Sequence, residues 1–298
     1  MKKRSVTRRD FLRTAAIAPF AGAAFAHSLR VSEKKEALRS AKVVLIRDEN
    51  AVIAFKKLDP EVVRKMMDSA IAELMGESNA VDAWKKLVMP SDIVGIKSNV
   101  WRYIPTPKAV EEVIKQRVMD VGVPEENISI TDRGVRQDPI FQKATALINA
   151  RPGRTHHWSG IGGCIKNPIT FSSQPVSYHG DSCADLARLW DDFNLKERTK
   201  LNVLVMLYPQ FHGIGPHSYS DQYVWDYKGI LVSQDPVAVD AVGLRIIQAK
   251  RREYFGKDLP MQTPAKHIRL ADERHNLGIS DPSKIELVKM GWEEDILI

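Results

Sequence analysis

Short apolar runs alternate with amphipathic stretches along most of this chain, and this alternation constrains its fold more than any other feature. Residues 42–47 (KVVLIR), 92–97 (DIVGIK) and 128–131 (ISIT) predict buried strands. Between them, residues 60–75 and 106–121 have the apolar spacing of helices. Strands that alternate with helices in this way form a parallel sheet with helices packed against it.

The second half of the chain continues the pattern. Residues 201–207 (LNVLVML) are the most hydrophobic run, which predicts a central strand covered on both faces. The remaining predicted elements are strands at 228–232 and 285–288 and helices at 236–254 and 264–277. We therefore expect residues 27–298 to form a single α/β domain with a mostly parallel sheet and helices on both faces.

Four Asp-Pro pairs mark possible helix starts, since Asp is a favoured N-cap and Pro is favoured at the first helical position. We predict that Asp59, Asp138 and Asp281 are caps. Asp235 directly follows a predicted strand. Because ligands bind beyond the carboxyl ends of strands in open α/β sheets, we expect Asp235 to take part in ligand binding.

Residues 151–183, here called the central segment, lack a periodic apolar pattern. The first thirty of them contain five glycines, three histidines and three basic residues, but no acid. A long segment of this composition inside a compact domain is usually functional or disordered. Its apolar residues, among them Trp158 and Phe171, favour order. We predict a long Gly/His-rich loop that lies over the strand ends.

The first 26 residues resemble a twin-arginine export signal. Arg8 and Arg9 precede an apolar run that ends in the small-residue site Ala24-Phe25-Ala26. The run is too short for a typical membrane span, so we expect the signal to be cleaved. The protein would then be periplasmic, carried there by the twin-arginine translocase. An uncleaved membrane anchor is the alternative. Residues 1–26 carry six Lys or Arg and one acid, so they contribute +5 of the net charge of +7. The chain that remains after cleavage has a net charge of only about +2. This near-balance argues against nucleic-acid binding.

Several motifs together resemble the family called domain of unknown function 362. They are Val94-Gly-Ile-Lys-Ser-Asn99, Thr155-His156 with Ile165-Lys166-Asn167, Tyr178-His179, Gly213-Ile-Gly-Pro216, and Asp235-Pro-Val-Ala-Val-Asp-Ala-Val-Gly243. The resemblance covers roughly residues 42–251. Relatives of this kind are in some cases joined to an iron–sulfur module. This chain has two cysteines and no Cys-x-x-Cys, so we expect no such cluster within it.

Five of the eight histidines lie between residues 156 and 217. Neutral imidazole is a common ligand for divalent metals, and we name His156, His179 and His212 as candidate ligands, with Asp235 or Asp240 as a possible carboxylate. No two of them have the spacing of a known helical zinc motif. The alternative is that these histidines form hydrogen bonds with the backbone.

Two Lys/Asn pairs suggest a cradle for phosphate or carboxylate. Lys97 with Asn99, and Lys166 with Asn167, lie in or near predicted loops, and Gly215 belongs to a further glycine-containing motif. We predict that these residues bind a small anionic molecule. Structural salt bridges are the alternative role for the lysines.

Asp240 is an acid on the inward face of a predicted helix, so it requires a buried partner. That partner is either a Lys or Arg, or the loop histidines through a ligand or metal. Cys164 and Cys183 could form a disulfide, bind metal or remain free; Cys183 has the helical spacing of a core residue.

These residues leave two functions open. The first is an exported enzyme in which His156, Lys166 and Asp240 are catalytic. The second is a non-catalytic factor that carries a cofactor or metal for an exported redox enzyme.

Overall fold

The computed structural model describes residues 40–213 and 219–298. The predicted signal peptide at residues 1–26 and the predicted ligand residue Gly215 lie outside this part of the chain. Residues 41–298 form one compact unit. Within the described residues, no helix combines the length and apolar character needed to span a membrane.

The main sheet has the strand order β10-β1-β9-β8-β6-β4-β5, with β7 paired to β6. Its strands are parallel except for β9 and β7. The strand β8 lies in the middle, as its continuous apolar run predicts. The strands are β1 (Ala41–Arg47), β2 (Val52–Ala54), β3 (Lys57–Leu58), β4 (Val94–Lys97), β5 (Ile128–Thr131), β6 (Ala146–His156), β7 (Gly160–Gly162), β8 (Thr199–Gln210), β9 (Gly229–Ser233) and β10 (Ile285–Gly291).

Helices cover both faces of the sheet, which confirms the predicted α/β class. The first three helices pack on one face, where Ile96, Ile148 and Met67 share a core. The other face is covered by the two longest late helices and by the central segment, with Leu147, Leu204 and Val237 in its core. The helices are α1 (Pro60–Met75), α2 (Ala80–Lys85), α3 (Lys108–Asp120), α4 (Pro139–Lys143), α5 (Gly180–Cys183), α6 (Arg188–Asp192), α7 (Leu195–Arg198), α8 (Pro236–Phe255) and α9 (Lys266–Glu273).

The predicted caps at Asp59, Asp138 and Asp281 are confirmed, because each carboxylate accepts backbone N–H groups at the start of its helix. The spacing of Ser182 and Asp185 in the sequence predicts a capping box with a helix start at Ser182, and this prediction is wrong. Residues Asp181, Ser182 and Cys183 have φ values of 48°, 57° and 64°, so the chain makes a left-handed turn there and no helix begins at Ser182.

The prediction of a loop across all of residues 151–183 is also wrong. Its first six residues belong to β6, and Gly160–Gly162 pairs back onto them as β7. Short 3₁₀ turns follow at Asn167–Phe171 and Pro175–Tyr178. The order predicted from its apolar residues is confirmed, because Ile161, Ile165 and Phe171 are buried in the core that also contains residues of α8.

The strand β6 extends well past its neighbour β4. Lys97, the last residue of β4, pairs with Asn149, and β6 continues to His156. Residues 150–156, here called the β6 extension, therefore rise beyond the carboxyl ends of β4 and β5. In open α/β sheets this is the edge where ligands bind.

Candidate functional site

Four buried basic side chains meet at this edge. Lys97 ends β4, Arg151 and Arg154 lie on the β6 extension, and Lys166 follows β7 in the central segment. Their relative exposures are 1%, 3%, 4% and 2%. The charge of Arg151 lowers the pKa of each of the other three, so they share one electrostatic environment. We call these four residues the cation cluster.

Lys97 is the member of the cluster with an acidic partner. Its Nζ donates to Asp132 Oδ1 at 2.5 Å and to the carbonyl of Ser98 at 2.7 Å. Burial lowers the pKa of Lys97 to about 8, although Asp132 opposes this shift. Asp132 also accepts the backbone N–H of Val100 at 3.0 Å. Most of the hydrogen-bonding capacity of Lys97 is therefore taken up by the protein.

The other three cations form no salt bridge within the described residues. The Nε of Arg151 and the Nε and Nη1 of Arg154 are buried without a hydrogen-bond partner there. The Arg154 guanidinium lies 4.2 Å from the centre of the Trp101 ring. The contact found for the Lys166 ammonium is Cys183 Sγ, at 3.8 Å. Burial, helped by the charges of Arg151 and Arg154, lowers the pKa of Lys166 to about 8.

Asp240 holds the backbone that carries Lys166. Its two oxygens accept the N–H groups of Cys164 at 2.6 Å and Ile165 at 2.9 Å. Its hydrogen bonds are thus to two backbone amides, while the predicted basic partner is Arg151, whose charge favours the ionised carboxylate without a salt bridge within the described residues. The Asp240 carboxylate lies close to the backbone of Gly163, because a Cβ added to this glycine would lie 2.2 Å from Asp240 Oδ1. Burial raises the pKa of Asp240 to about 7, despite these hydrogen bonds.

The two predicted Lys/Asn pairs are brought together, but their amides mainly bind the protein. Asn167 Nδ2 donates to the carbonyl of Lys97 at 3.0 Å and to Asn149 Oδ1 at 2.8 Å. Asn99 Nδ2 lies 3.5 Å from Asn167 Oδ1. These bonds join β4, β6 and the central segment. In this arrangement the two asparagines position the cation cluster.

The structure does not assemble His156, His179 and His212 into a metal site. Across residues 40–213 and 219–298, no group of three or more His, Cys, Asp or Glu side chains is placed to hold a metal. Nδ1 of His156 accepts the N–H of Trp158 at 3.2 Å, and Nδ1 of His212 accepts from Arg251 at 2.9 Å. A neutral ring that accepts at Nδ1 carries its proton on Nε2, so neither nitrogen has a free lone pair for a metal.

His156 and His212 instead line a cavity of about 10 Å³, with room for roughly one water molecule. Among the described residues, no Asp or Glu lines it. His179 packs against Trp158, with the ring centres 4.0 Å apart, and mainly burial lowers its pKa to about 4. Burial likewise lowers the pKa of His156 well below its usual range. These histidines are therefore neutral near pH 7 and have no acid beside the cavity for proton transfer.

Asp235 lies away from the cation cluster. Asp235 follows β9, which runs antiparallel to the other long strands. The carboxyl end of β9 therefore lies at the edge of the sheet where β1 begins. Its carboxylate accepts the N–H groups of Val237 and Ala238 and, from a distant loop, that of Ile279. Asp235 is thus a helix cap, and the strand-end argument failed because β9 runs in the opposite direction.

The two cysteines are free and buried. Cys183 Sγ contacts the carbonyl of Trp158 at 3.4 Å in addition to Lys166. Burial raises the pKa of both thiols. The thiols are therefore protonated near pH 7.

Sequence reasoning missed Arg151 and Arg154 as site residues. Both were counted among the basic residues of a presumed loop, whereas the structure places them in a buried strand. Their spacing of three, with a proline and a glycine between them, resembles a turn. The run from Ala144 to Ala150, which is largely apolar, was the signal that would have revealed the strand.

Comparison with known proteins supports the family resemblance of the sequence motifs. Neither the curated proteins nor the solved structures gave a match. A protein family described as "Domain of unknown function (DUF362)" matches residues 54–245, which include the β6 extension, the central segment and the first half of α8. Since this match covers well over half of the chain, the protein belongs to the DUF362 family.

Proposed function

We propose that this protein binds a small anionic molecule, a phosphate or a carboxylate, in the cation cluster. The observation that carries the proposal is that Arg151, Arg154 and Lys166 are buried without a salt bridge inside the described part of the chain. Asp132 and Asp240 attract Arg151, and Asp132 attracts Arg154, but they form no salt bridge with these arginines, so part of the cost of burying the charges, several kcal/mol, is left uncompensated. An oxyanion that accepts the free N–H groups would remove this cost and form strong charge-assisted hydrogen bonds.

The test uses full-length protein dialysed into an anion-poor buffer. Titration with phosphate, pyrophosphate and citrate is followed by calorimetry and by melting temperature. We expect binding by the wild type and at least a tenfold loss of affinity, about 1.4 kcal/mol, in Arg154→Met and Lys166→Met.

The matched control is Arg47→Met, because Arg47 is equally buried but donates to the carbonyl groups of Tyr227, Trp292 and Glu294. This variant should melt earlier and keep its anion affinity. Equal anion affinity in wild type, Arg154→Met and Lys166→Met would exclude the proposed site.

We also propose that the bound molecule is a substrate and that the protein is an enzyme. The supporting observation is Lys166, whose amine has no acidic partner in the described residues and whose pKa of about 8 leaves part of it unprotonated near neutral pH. An amine of this kind can act as a base or a nucleophile. The alternative remains a carrier that holds a cofactor for an exported redox enzyme.

Native mass spectrometry distinguishes these two functions. Lys166→Arg keeps the positive charge but loses a readily titratable amine. If the protein is an enzyme, the variant purified from the periplasm should retain a substrate mass that the wild type converts. The same bound mass at the same occupancy in both proteins would instead support the carrier.

Export by the twin-arginine translocase is a further part of the proposal. It is supported by Arg8 and Arg9, which lie outside the described residues, and by the small-residue site that follows them. A periplasmic location would place the anion site in a compartment reached only after the protein has folded. Fractionation of cells that express Arg8→Lys/Arg9→Lys tests this point.

A further inference from the structure

A second feature of the same sheet edge is a cavity of about 400 Å³ just beyond the ends of β4 and β5. It is lined by Val100, Trp101, Arg102 and Tyr103, which follow β4, and by Arg133, which follows β5. Its volume lies within the range of small-molecule sites, roughly 300–1,000 Å³. None of the lining residues in the described part of the chain is acidic.

The aromatic wall of this cavity is fixed by stacking. The Trp101 ring meets Tyr103 edge to face, with centres 5.1 Å apart, and Tyr219 in the same manner at 5.6 Å. Tyr103 and Tyr219 are stacked at 4.2 Å with an interplanar angle of 12°. Each ring thus restrains the others, and the wall presents flat apolar surface in a defined orientation.

Trp101 connects the cavity to the cation cluster. It lines the cavity, and the guanidinium of Arg154 lies against its ring. Asp132, the partner of Lys97, directly precedes Arg133 and accepts the N–H of Val100. The cavity and the cluster are therefore neighbours, with Trp101 at the boundary between them and the four cations outside the cavity lining.

Charge and shape together indicate which kind of ligand fits. Arg102 and Arg133 are exposed at the cavity, and the Arg102 guanidinium lies 4.4 Å from the centre of the Tyr103 ring. Guanidinium groups and aromatic rings both offer flat faces on which a planar ring can stack. The cations attract a negative group, and an aliphatic anion would leave the flat wall without a matching surface.

We propose that this cavity holds the planar aromatic part of the ligand, so that the ligand class is an aromatic or heteroaromatic phosphate or carboxylate, such as a nucleoside phosphate. The proposal rests on the proposed anion site: the negative group is directed past Trp101 towards the cation cluster, and the ring stacks against Trp101. It adds a class of ligand to a site that by itself specifies only charge.

The test compares three probes on full-length wild-type protein: inorganic phosphate, ribose 5-phosphate and adenosine 5′-monophosphate. We expect the nucleotide to bind about tenfold more tightly than the sugar phosphate, since base stacking on an aromatic side chain typically contributes that much or more. Trp101→Leu should reduce this preference to less than about threefold, because nucleotide affinity should fall more than phosphate affinity. Trp292→Leu, a partly buried tryptophan outside the cavity lining, is the matched control.

Val100→Glu provides a second variant that does not depend on core packing, because Val100 is 51% exposed. A carboxylate at the cavity should weaken nucleotide binding more than phosphate binding. Equal affinity of the wild type for all three probes would overturn the aromatic subsite and leave the anion site standing. No binding of any probe would instead refute the anion site, and the aromatic subsite with it.

Discussion

The cation cluster leads to an unusual expectation: removing one of its charges should stabilise the protein when no anion is bound. The Arg154→Met substitution keeps an unbranched side chain of similar length to the Arg154 stem and removes the guanidinium group. Two buried nitrogens of Arg154 have no partner in the described residues. An unsatisfied buried polar group costs about 1–3 kcal/mol, so their removal should gain roughly 2–6 kcal/mol.

Part of this gain is offset. The guanidinium lies 4.2 Å from the Trp101 ring centre, and such a cation–π contact stabilises by about 0.5–2 kcal/mol. A net gain of about 2 kcal/mol would raise the melting temperature by roughly 4–8 °C in a domain of this size. The comparison is made by circular dichroism in an anion-poor buffer and repeated with phosphate.

Phosphate should narrow this difference, because a tenfold higher affinity stabilises the wild type by up to about 1.4 kcal/mol more than the variant. The Arg47→Met control should melt earlier in both buffers, since it leaves the carbonyl groups of Tyr227, Trp292 and Glu294 without their donor. If Arg154→Met melts earlier than the wild type in the anion-poor buffer, as the control does, then Arg154 is not an uncompensated charge and the reasoning fails.

Four further predictions test other parts of the site. Asp240→Ala leaves two buried N–H groups unsatisfied, so the free energy of unfolding measured in urea should fall by about 2–5 kcal/mol. A fall of less than about 1 kcal/mol would contradict the role of Asp240 in anchoring the central segment. Lys166 has a pKa of about 8 in the folded state, below its unfolded value, so the native state binds fewer protons and the free energy of unfolding should rise between about pH 8 and 10.5. Lys166→Met should flatten that rise. An unchanged slope in the variant would show that Lys166 does not cause the rise. Cys183→Ala should lower the free energy of unfolding by about 1 kcal/mol, because packing contacts are lost, and should leave anion affinity measured by calorimetry intact. A large loss of anion affinity would show that the thiol takes part in binding. Lysine at both Arg8 and Arg9 should keep the precursor in the cytoplasm, and normal periplasmic yield would remove the export proposal.

Elements with regular apolar periodicity were predictable from the sequence. The strands β1, β4, β5 and β8 and the helices α1, α3 and α8 were located to within a few residues, because burial on one or both faces imposes a readable pattern. The strand β6 was missed. Its buried residues include Asn149, Arg151 and Arg154, whose polar character imitates that of a loop.

The site was predictable in part. Lys97 and Lys166 were named from their loop-proximal positions, and the structure places both in the cation cluster. The buried position of Asp240 followed from helical spacing, but its partners did not. They are backbone amides 75 and 76 residues away, and a backbone N–H leaves no trace in the sequence.

The motif at the start of α8 can now be explained residue by residue. Asp235 caps the helix, and Pro236 occupies its first turn. Asp240 fixes the backbone immediately before Lys166, and Gly243 lets α8 approach β8, because an added Cβ would lie 2.3 Å from Leu204. Asp235, Pro236 and Gly243 thus start α8 and position it on the sheet, and Asp240 ties the central segment to it. In the proposed function the chemistry of the site is therefore assigned to the cations, with Lys166 foremost among them.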